Sequence, residues 1–377
     1  MTERRLNYID NIRIFLTAVV ILNHLSITYG APGGWYYNEF EVSQLKLIPM
    51  ATLVLFAAGN QAYSMGLFFL LSGFFSAKSI SNNGVQSYLP QRLIRLGIPI
   101  LLYVYLISPI LRITFRNITY NIPMNLGEIL NIYMQINFGY ELGPMWFIML
   151  LLIFSFILPF LIKSIRRFSS QLRIPGRYGF LLAAVFIGLL TFLIRIYLPI
   201  GYVFQPLNLQ LPHVIQYIFM FFAGVFVYLV NWHERVQSIS VKFWLPFTIG
   251  LIIIMPILFI LVGGASGNVN SALGGVTWQS LAFSIWEQVY CLSMSATIIS
   301  LFYNYLNKNT ELSRELAASS YATYIFHPLV LVIFTALFQN FRMQPLAKFA
   351  LLAAPTIILC FFAASLLRRL PGLKTIL

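Results

Sequence analysis

An all-α integral membrane protein with about ten transmembrane helices is the fold class this sequence predicts, and three features predict it. Of 377 residues, 59% are hydrophobic and 9% charged, against roughly 25% charged in soluble domains. Mean hydropathy is +0.81. The apolar residues gather into runs of about twenty, the length that crosses a hydrocarbon core. So few charges cannot cover a core of this size in water, which excludes an ordinary soluble enzyme. The formal net charge of +14 does not point to nucleic acid, because the cations sit in short clusters between apolar runs, as loops at one membrane face do.

The spans can be taken in order. The opening "MTERRLNYIDNIRIFLTAVVILNHLSITYG" starts basic, but Arg13 and His24 interrupt its apolar stretch and no small-residue cleavage pattern follows. It reads as an uncleaved first helix over 12–29. The second span, 52–76, holds "GNQ" at 59–61, polar groups that predict a break lining a cavity. The third, 96–111, follows the basic stretch "QRLIR". A long connection over 112–143 contains "LGEILNIYMQINFG", a surface helix or half-span. Spans then follow at 144–162, 179–197, 211–230, 243–262, 280–302, 322–339 and 349–367. No repeat or linker divides the chain, so 1–377 reads as one membrane domain. Cys291 and Cys360 both fall in apolar runs, which predicts buried thiols rather than a disulfide.

Basic clusters at 4–5, 92–95, 163–177, 235–242, 308–314 and 368–374 fall on one side of this layout. The other side or its helix ends hold Lys46, Arg112, Arg116, Arg195, Arg342 and Lys348. The bias of Lys and Arg toward the cytoplasm predicts that both termini are cytoplasmic in a multi-pass protein of the cell inner or plasma membrane.

Ionisable residues inside spans are functional candidates by default. Arg13 and His24 lie eleven residues apart, almost three whole turns, and so share one helix face at ~16 Å separation. Glu287 in "FSIWEQVYC" sits about two turns in from the outer end of the eighth span, at a depth comparable to His24. A His24–Glu287 pair would fix the imidazole tautomer; a purely structural ion or hydrogen-bond pair is the equal alternative. His327 precedes Pro328, and could satisfy the carbonyl that a proline frees. The histidines at 24, 213, 233 and 327 fall at different predicted depths, which makes no metal-ligand set.

Five stretches in order resemble the membrane acyltransferase-3 family: the Arg13-x10-His24 spacing, "GLFFLLSGFFSAK", "YLPQRLIRLGIPIL", "LGPMWFIMLLLIFS" and "SSYATYIFHP". The opening helix and "GNQAYSMGLFFLLSGFF" are most similar to the branch related to glucan-biosynthesis protein C. The resemblance implies transfer of an acyl group, acetyl or succinyl, from cytoplasmic acyl-CoA to a hydroxyl of an envelope carbohydrate or glycolipid. His24 is then the expected general base with Glu287 orienting it. Arg92 and Arg95, three apart on one helical face, become expected CoA phosphate contacts, and Arg13 is expected to guide the pantetheine arm of the CoA toward His24. Asp10, Ser72, Gly73, Trp146, Tyr324 and His327 are expected to line the cavity. Two other readings stand beside this one: a glycan transporter or flippase, and a membrane scaffold without catalysis. The absence of internal symmetry and the single carboxylate candidate inside the spans weigh against a transporter.

Overall fold

The computed structural model describes residues 6–120, 123–169, 176–264 and 269–373. Arg4, Arg5, Arg173 and Lys374 of the basic clusters lie outside these. The described chain is helical, with no strand. It begins with α1 (Asn7–Thr28), α2 (Leu47–Arg92), α3 (Ile98–Leu102), α4 (Ser108–Tyr120), α5 (Leu126–Met134), α6 (Phe138–Glu141) and α7 (Trp146–Ser169). It continues through α8 (Arg177–Arg195), α9 (Val214–Leu229), α10 (Val241–Leu261), α11 (Asn270–Leu273), α12 (Trp278–Tyr305), α13 (Glu311–Leu337) and α14 (Pro345–Leu367).

Among the described residues, nine helical segments are long and apolar enough to span a membrane. One, Leu47–Asn117, has 71 residues. At 1.5 Å per residue it would extend ~107 Å, more than three times the ~30 Å hydrocarbon core. It is broken at Gly84, whose φ of +75° is a left-handed conformation open to glycine at little cost. Beside the break, the Ser81 hydroxyl accepts a hydrogen bond from Arg166 near the C-terminal end of α7. The break thus lies at the face where α7 ends, and the chain beyond it returns across the bundle. Each arm is long enough to span on its own, which accounts for the difference between these nine segments and the ten read from the sequence. The face bearing Gly84, the start of α1 and the end of α7 is called the basic face below.

The predicted break at 59–61 is not there: α2 runs through Gly59, Asn60 and Gln61 as helix. The Gln61 amide donates to Gln210 and to the Tyr217 hydroxyl, both at 3.2 Å. With its amide bonded inside the bundle, no local unwinding is required. The stretch at 126–139 also resolves. Nine residues form α5, too short to cross a bilayer, with Asn125 and Glu128 forming a reciprocal cap. Glu128 ties this surface helix to Arg116 at 2.7 Å, and Leu126, Leu130 and Met134 are exposed.

The main core joins α1, α2, α7, α9, α12 and α13; a smaller cluster packs the far half of α1 against α13 and α14. Cys291 and Cys360 are buried free thiols. Helices α2 and α9 meet through two glycines. A Cβ on Gly73 would overlap the Phe221 carbonyl oxygen, and one on Gly224 would overlap the Leu70 carbonyl oxygen. Small residues let helix backbones approach this closely within a membrane. Gly73 was expected to line the ligand passage; it is instead a helix–helix contact, because the Phe221 backbone already fills the space beside it. Gly73→Ala and Gly224→Ala should each destabilise the protein by about 2 kcal/mol, the cost of overpacking a close contact. Thermal unfolding in detergent would show a lowered Tm for both, and an unchanged Tm would contradict this packing.

Candidate active site

The site begins with a proline. Pro328 within α13 has no N–H to return to the carbonyl four residues back, which is that of Tyr324. His327 takes up the freed acceptor: its Nδ1 lies 2.6 Å from the Tyr324 oxygen. The other ring nitrogen, Nε2, lies 3.1 Å from His24 Nδ1. A carbonyl only accepts, so His327 Nδ1 carries a proton. In a neutral ring Nε2 is then the acceptor, and His24 Nδ1 is the donor to it. This leaves His24 Nε2 with an unshared lone pair. The tautomers follow from the hydrogen bonds rather than from observed hydrogens.

The two histidines, expected from the sequence at different depths, are therefore neighbours. Each lies ~25 Å along its helix from the basic-face end. Trp35, in the connection between α1 and α2, stacks on His24 with centroids 4.1 Å apart and planes 18° apart. The Tyr324 hydroxyl donates to the Pro144 carbonyl, and Phe147 meets the Tyr324 ring edge-on at 5.8 Å. Trp146, an expected lining residue, is buried beside this contact and packs on Tyr217 at 5.5 Å.

The same proline logic operates at the basic side. Pro99 cannot donate to the Arg95 carbonyl four residues back, and that carbonyl accepts the Tyr321 hydroxyl at 2.6 Å. Arg95 sits in a five-residue π-helical turn, Leu93–Gly97, a distortion often found at functional sites. Arg95 is exposed, whereas Arg92 is half-buried with its guanidinium 5.2 Å over the Tyr88 ring. Tyr321, Tyr324 and His327 follow one another at three-residue spacing, so α13 links the arginine turn to the histidine pair over ~9 Å of its axis. Arg13 is partly exposed near the basic-face end of α1 and pairs with Asp10 at 3.4 Å. Ser72 is half-buried on α2 beside Gly73, toward the basic half of that helix and away from the histidines.

Glu287 requires a correction. It was expected to orient His24, but it is held by Arg195 at 2.6 Å and His213 at 3.2 Å. Arg195 is fully buried at the end of α8, and also donates to the Pro212 carbonyl and Ser284. A buried carboxylate needs a cation and donors around it. Arg195 supplies both, leaving His24 to His327. The sequence places Arg195 at the close of one span and His213 at the opening of the next, on the side where Glu287 lies, but does not show that the three meet.

Sequence reasoning also missed a polar group on the side away from the basic face. Ser108 and Arg112, one turn apart on α4, both bind the buried Glu141: the Ser108 hydroxyl donates to Oε2 and Arg112 approaches Oε1 at 2.6 Å. The Tyr36 and Tyr103 hydroxyls share a hydrogen bond of 2.8 Å. Gly143, at φ +43°, makes room for them, since a Cβ there would overlap the Tyr36 hydroxyl. Glu141 and Tyr36 gave no signal, because both lie in connections rather than in spans.

A family profile described as an acyltransferase domain matches residues 6–365. No curated protein and no solved structure matches the chain.

Glu287→Gln removes the carboxylate that neutralises a fully buried guanidinium and should cost about 3–5 kcal/mol of stability, read as a lowered Tm. Acyl transfer per folded molecule should stay within about threefold of wild type, since a lost general-base function costs far more. A drop of a hundredfold or more would restore Glu287 to the histidine.

Proposed function

Because the chain belongs to the family of membrane acyltransferases whose profile matches residues 6–365, we propose that it moves an acyl group, acetyl or succinyl, from acyl-CoA to a hydroxyl of an envelope carbohydrate or related acceptor. The donor is reached from the basic face, taken as cytoplasmic by its excess of cations. The acceptor comes from the other side. The glucan-biosynthesis protein C-like sequence features favour a glucan acceptor.

One observation carries this reading: the relay from the Tyr324 carbonyl through His327 to His24. A hydroxyl is a weak nucleophile at neutral pH and needs a base as it attacks. His24 Nε2 takes the hydroxyl proton while the oxygen adds to the thioester carbonyl. The positive charge that develops on His24 is shared through its Nδ1–H with the lone pair of His327 Nε2. When the tetrahedral adduct collapses, the carbon–sulfur bond breaks and the CoA sulfur leaves as thiolate. His24 returns the proton to that sulfur, so the cycle consumes no net acid or base. His327 keeps the tautomer that this cycle needs, and the carbonyl freed by Pro328 keeps His327 in turn.

Arg92 and Arg95 serve the donor end. Guanidinium groups bind phosphate oxygens through paired donors, and the π-helical turn puts Arg95 in the open at the basic half of the bundle. Arg13 lies on the same helix face as His24, ~16 Å nearer the basic face. Asp10 holds it through its carboxylate.

In membranes at matched expression, His24→Ala should lower transfer of labelled acyl groups by about 10²–10⁴, the usual worth of a general base. His327→Ala should fall in the same range, and undiminished transfer in His24→Ala would overturn the assignment. Arg92→Gln and Arg95→Gln should raise the KM for acyl-CoA about tenfold with little change in kcat, since each removes binding rather than chemistry. A loss confined to kcat would place these arginines elsewhere in the reaction.

A further inference from the structure

The connection between α1 and α2 does more than join them. It reads "GAPGGWYYNEFEVSQLK" over 30–46 and folds back across the end of α1 that carries His24. Gly30 and Gly33 turn the chain at φ +108° and +157°, and a Cβ on Gly30 would overlap the Leu45 side chain. The turn brings Trp35 flat onto the His24 ring at 4.1 Å. One face of His24 is thus under an indole, and its Nδ1 edge is engaged by His327.

Few bonds hold this strap down beyond its packing. The Thr28 carbonyl accepts the backbone N–H groups of Glu39 at 2.9 Å and Phe40 at 3.4 Å. The Glu39 carboxylate meets Lys348 of α14 at 2.5 Å. Lys348 is fully buried, and it also donates to the Phe338 carbonyl at the end of α13 at 2.6 Å. Two polar atoms of the strap, Glu39 Oε2 and Trp35 Nε1, are buried without a hydrogen-bond partner. Burial pushes the Glu39 carboxyl above its ordinary range, and the Lys348 ammonium opposes this. A segment held by one ion pair, the Tyr36–Tyr103 hydroxyl bond and two backbone bonds, with two of its buried polar atoms unpartnered, has a closed form that gives up little on opening.

We propose that residues 30–46 are a gate on the acceptor side of His24, latched by the Glu39–Lys348 pair, which keeps water from the acyl donor until the acceptor displaces Trp35. Glu39 and Lys348 are positioning residues acting through the strap. The chemistry being suppressed is plain. With the gate open, a water oxygen bonds to the thioester carbon and the carbon–sulfur bond breaks. One water proton goes to the CoA sulfur, and the acyl group leaves as the free acid. His24 would serve water as readily as a sugar hydroxyl, so an enzyme of this kind must exclude water by structure.

The gate's function rests on the reading of His24 as base, whereas its motion can be measured without activity. In detergent-purified full-length protein, the rate at which diethyl pyrocarbonate modifies His24 would be followed by peptide mass spectrometry. Glu39→Gln and Lys348→Met should each raise that rate about tenfold, the worth of one charged hydrogen bond. Both should also raise acyl-CoA hydrolysis without acceptor relative to transfer by a similar factor. Should the variants fail to fold, hydrogen exchange in wild type decides: the amides of 30–41 should exchange at least about tenfold faster than those of 17–28. Unchanged His24 modification in folded variants, or a strap that exchanges as slowly as α1, overturns the gate. Faster modification with no acyl-CoA turnover in any form would sustain the gate's motion and overturn its role in acyl transfer.

Discussion

A backbone carbonyl without its helical partner organises this molecule's centre. Inside a membrane a helix cannot leave such a group unsatisfied without a cost of several kcal/mol. Pro328 creates the vacancy at Tyr324, and His327 fills it. In doing so the imidazole is fixed in both orientation and tautomer, and its second nitrogen is turned toward His24. The structural explanation for His327, relief of a proline defect, and the role proposed for it rest on the same contact. Pro99, Arg95 and Tyr321 repeat the device at the basic side, where it anchors the arginine turn to the same helix.

The second constraint is that every buried charge must be compensated. Arg195 and Glu287 do so for each other with His213 alongside, Lys348 and Glu39 near the far end of α14, and Arg112 and Glu141 above the Tyr36–Tyr103 pair. These pairs do not all have one purpose. Arg195 and Glu287 are fully enclosed and brace the start of α9 against α8 and α12. The Glu39 pair closes a short segment that touches the histidine itself. Replacing a buried pair by apolar residues often costs nothing in stability, so a pair at the edge of the proposed reacting centre fits the proposed gate.

Much of the fold was legible in the sequence because its physics is local. Hydropathy located the spans, and the eleven-residue spacing put Arg13 and His24 on one face. The link between His327 and a freed carbonyl followed from counting four residues back from Pro328. The contacts between helices were not legible in the same way. Depth along a span is known only to within several residues, enough to separate His24 from His327 on paper and to pair His24 with Glu287 instead. Arg195 was read as a helix-end cation because nothing in its own stretch shows that a carboxylate waits on α12. Gly73 could equally admit a ligand or a neighbouring backbone, and only the position of Phe221 decides. Trp35 lay in a connection, where a stacking partner cannot be inferred from periodicity.

The account stands on the lone pair at His24 Nε2, and nitrogen-15 NMR of histidine-labelled protein reads that atom directly. The relay predicts that neutral His24 carries its proton on Nδ1 with Nε2 bare. A His24 whose proton sits on Nε2 in the intact protein would contradict the relay and remove the base from the proposed reaction.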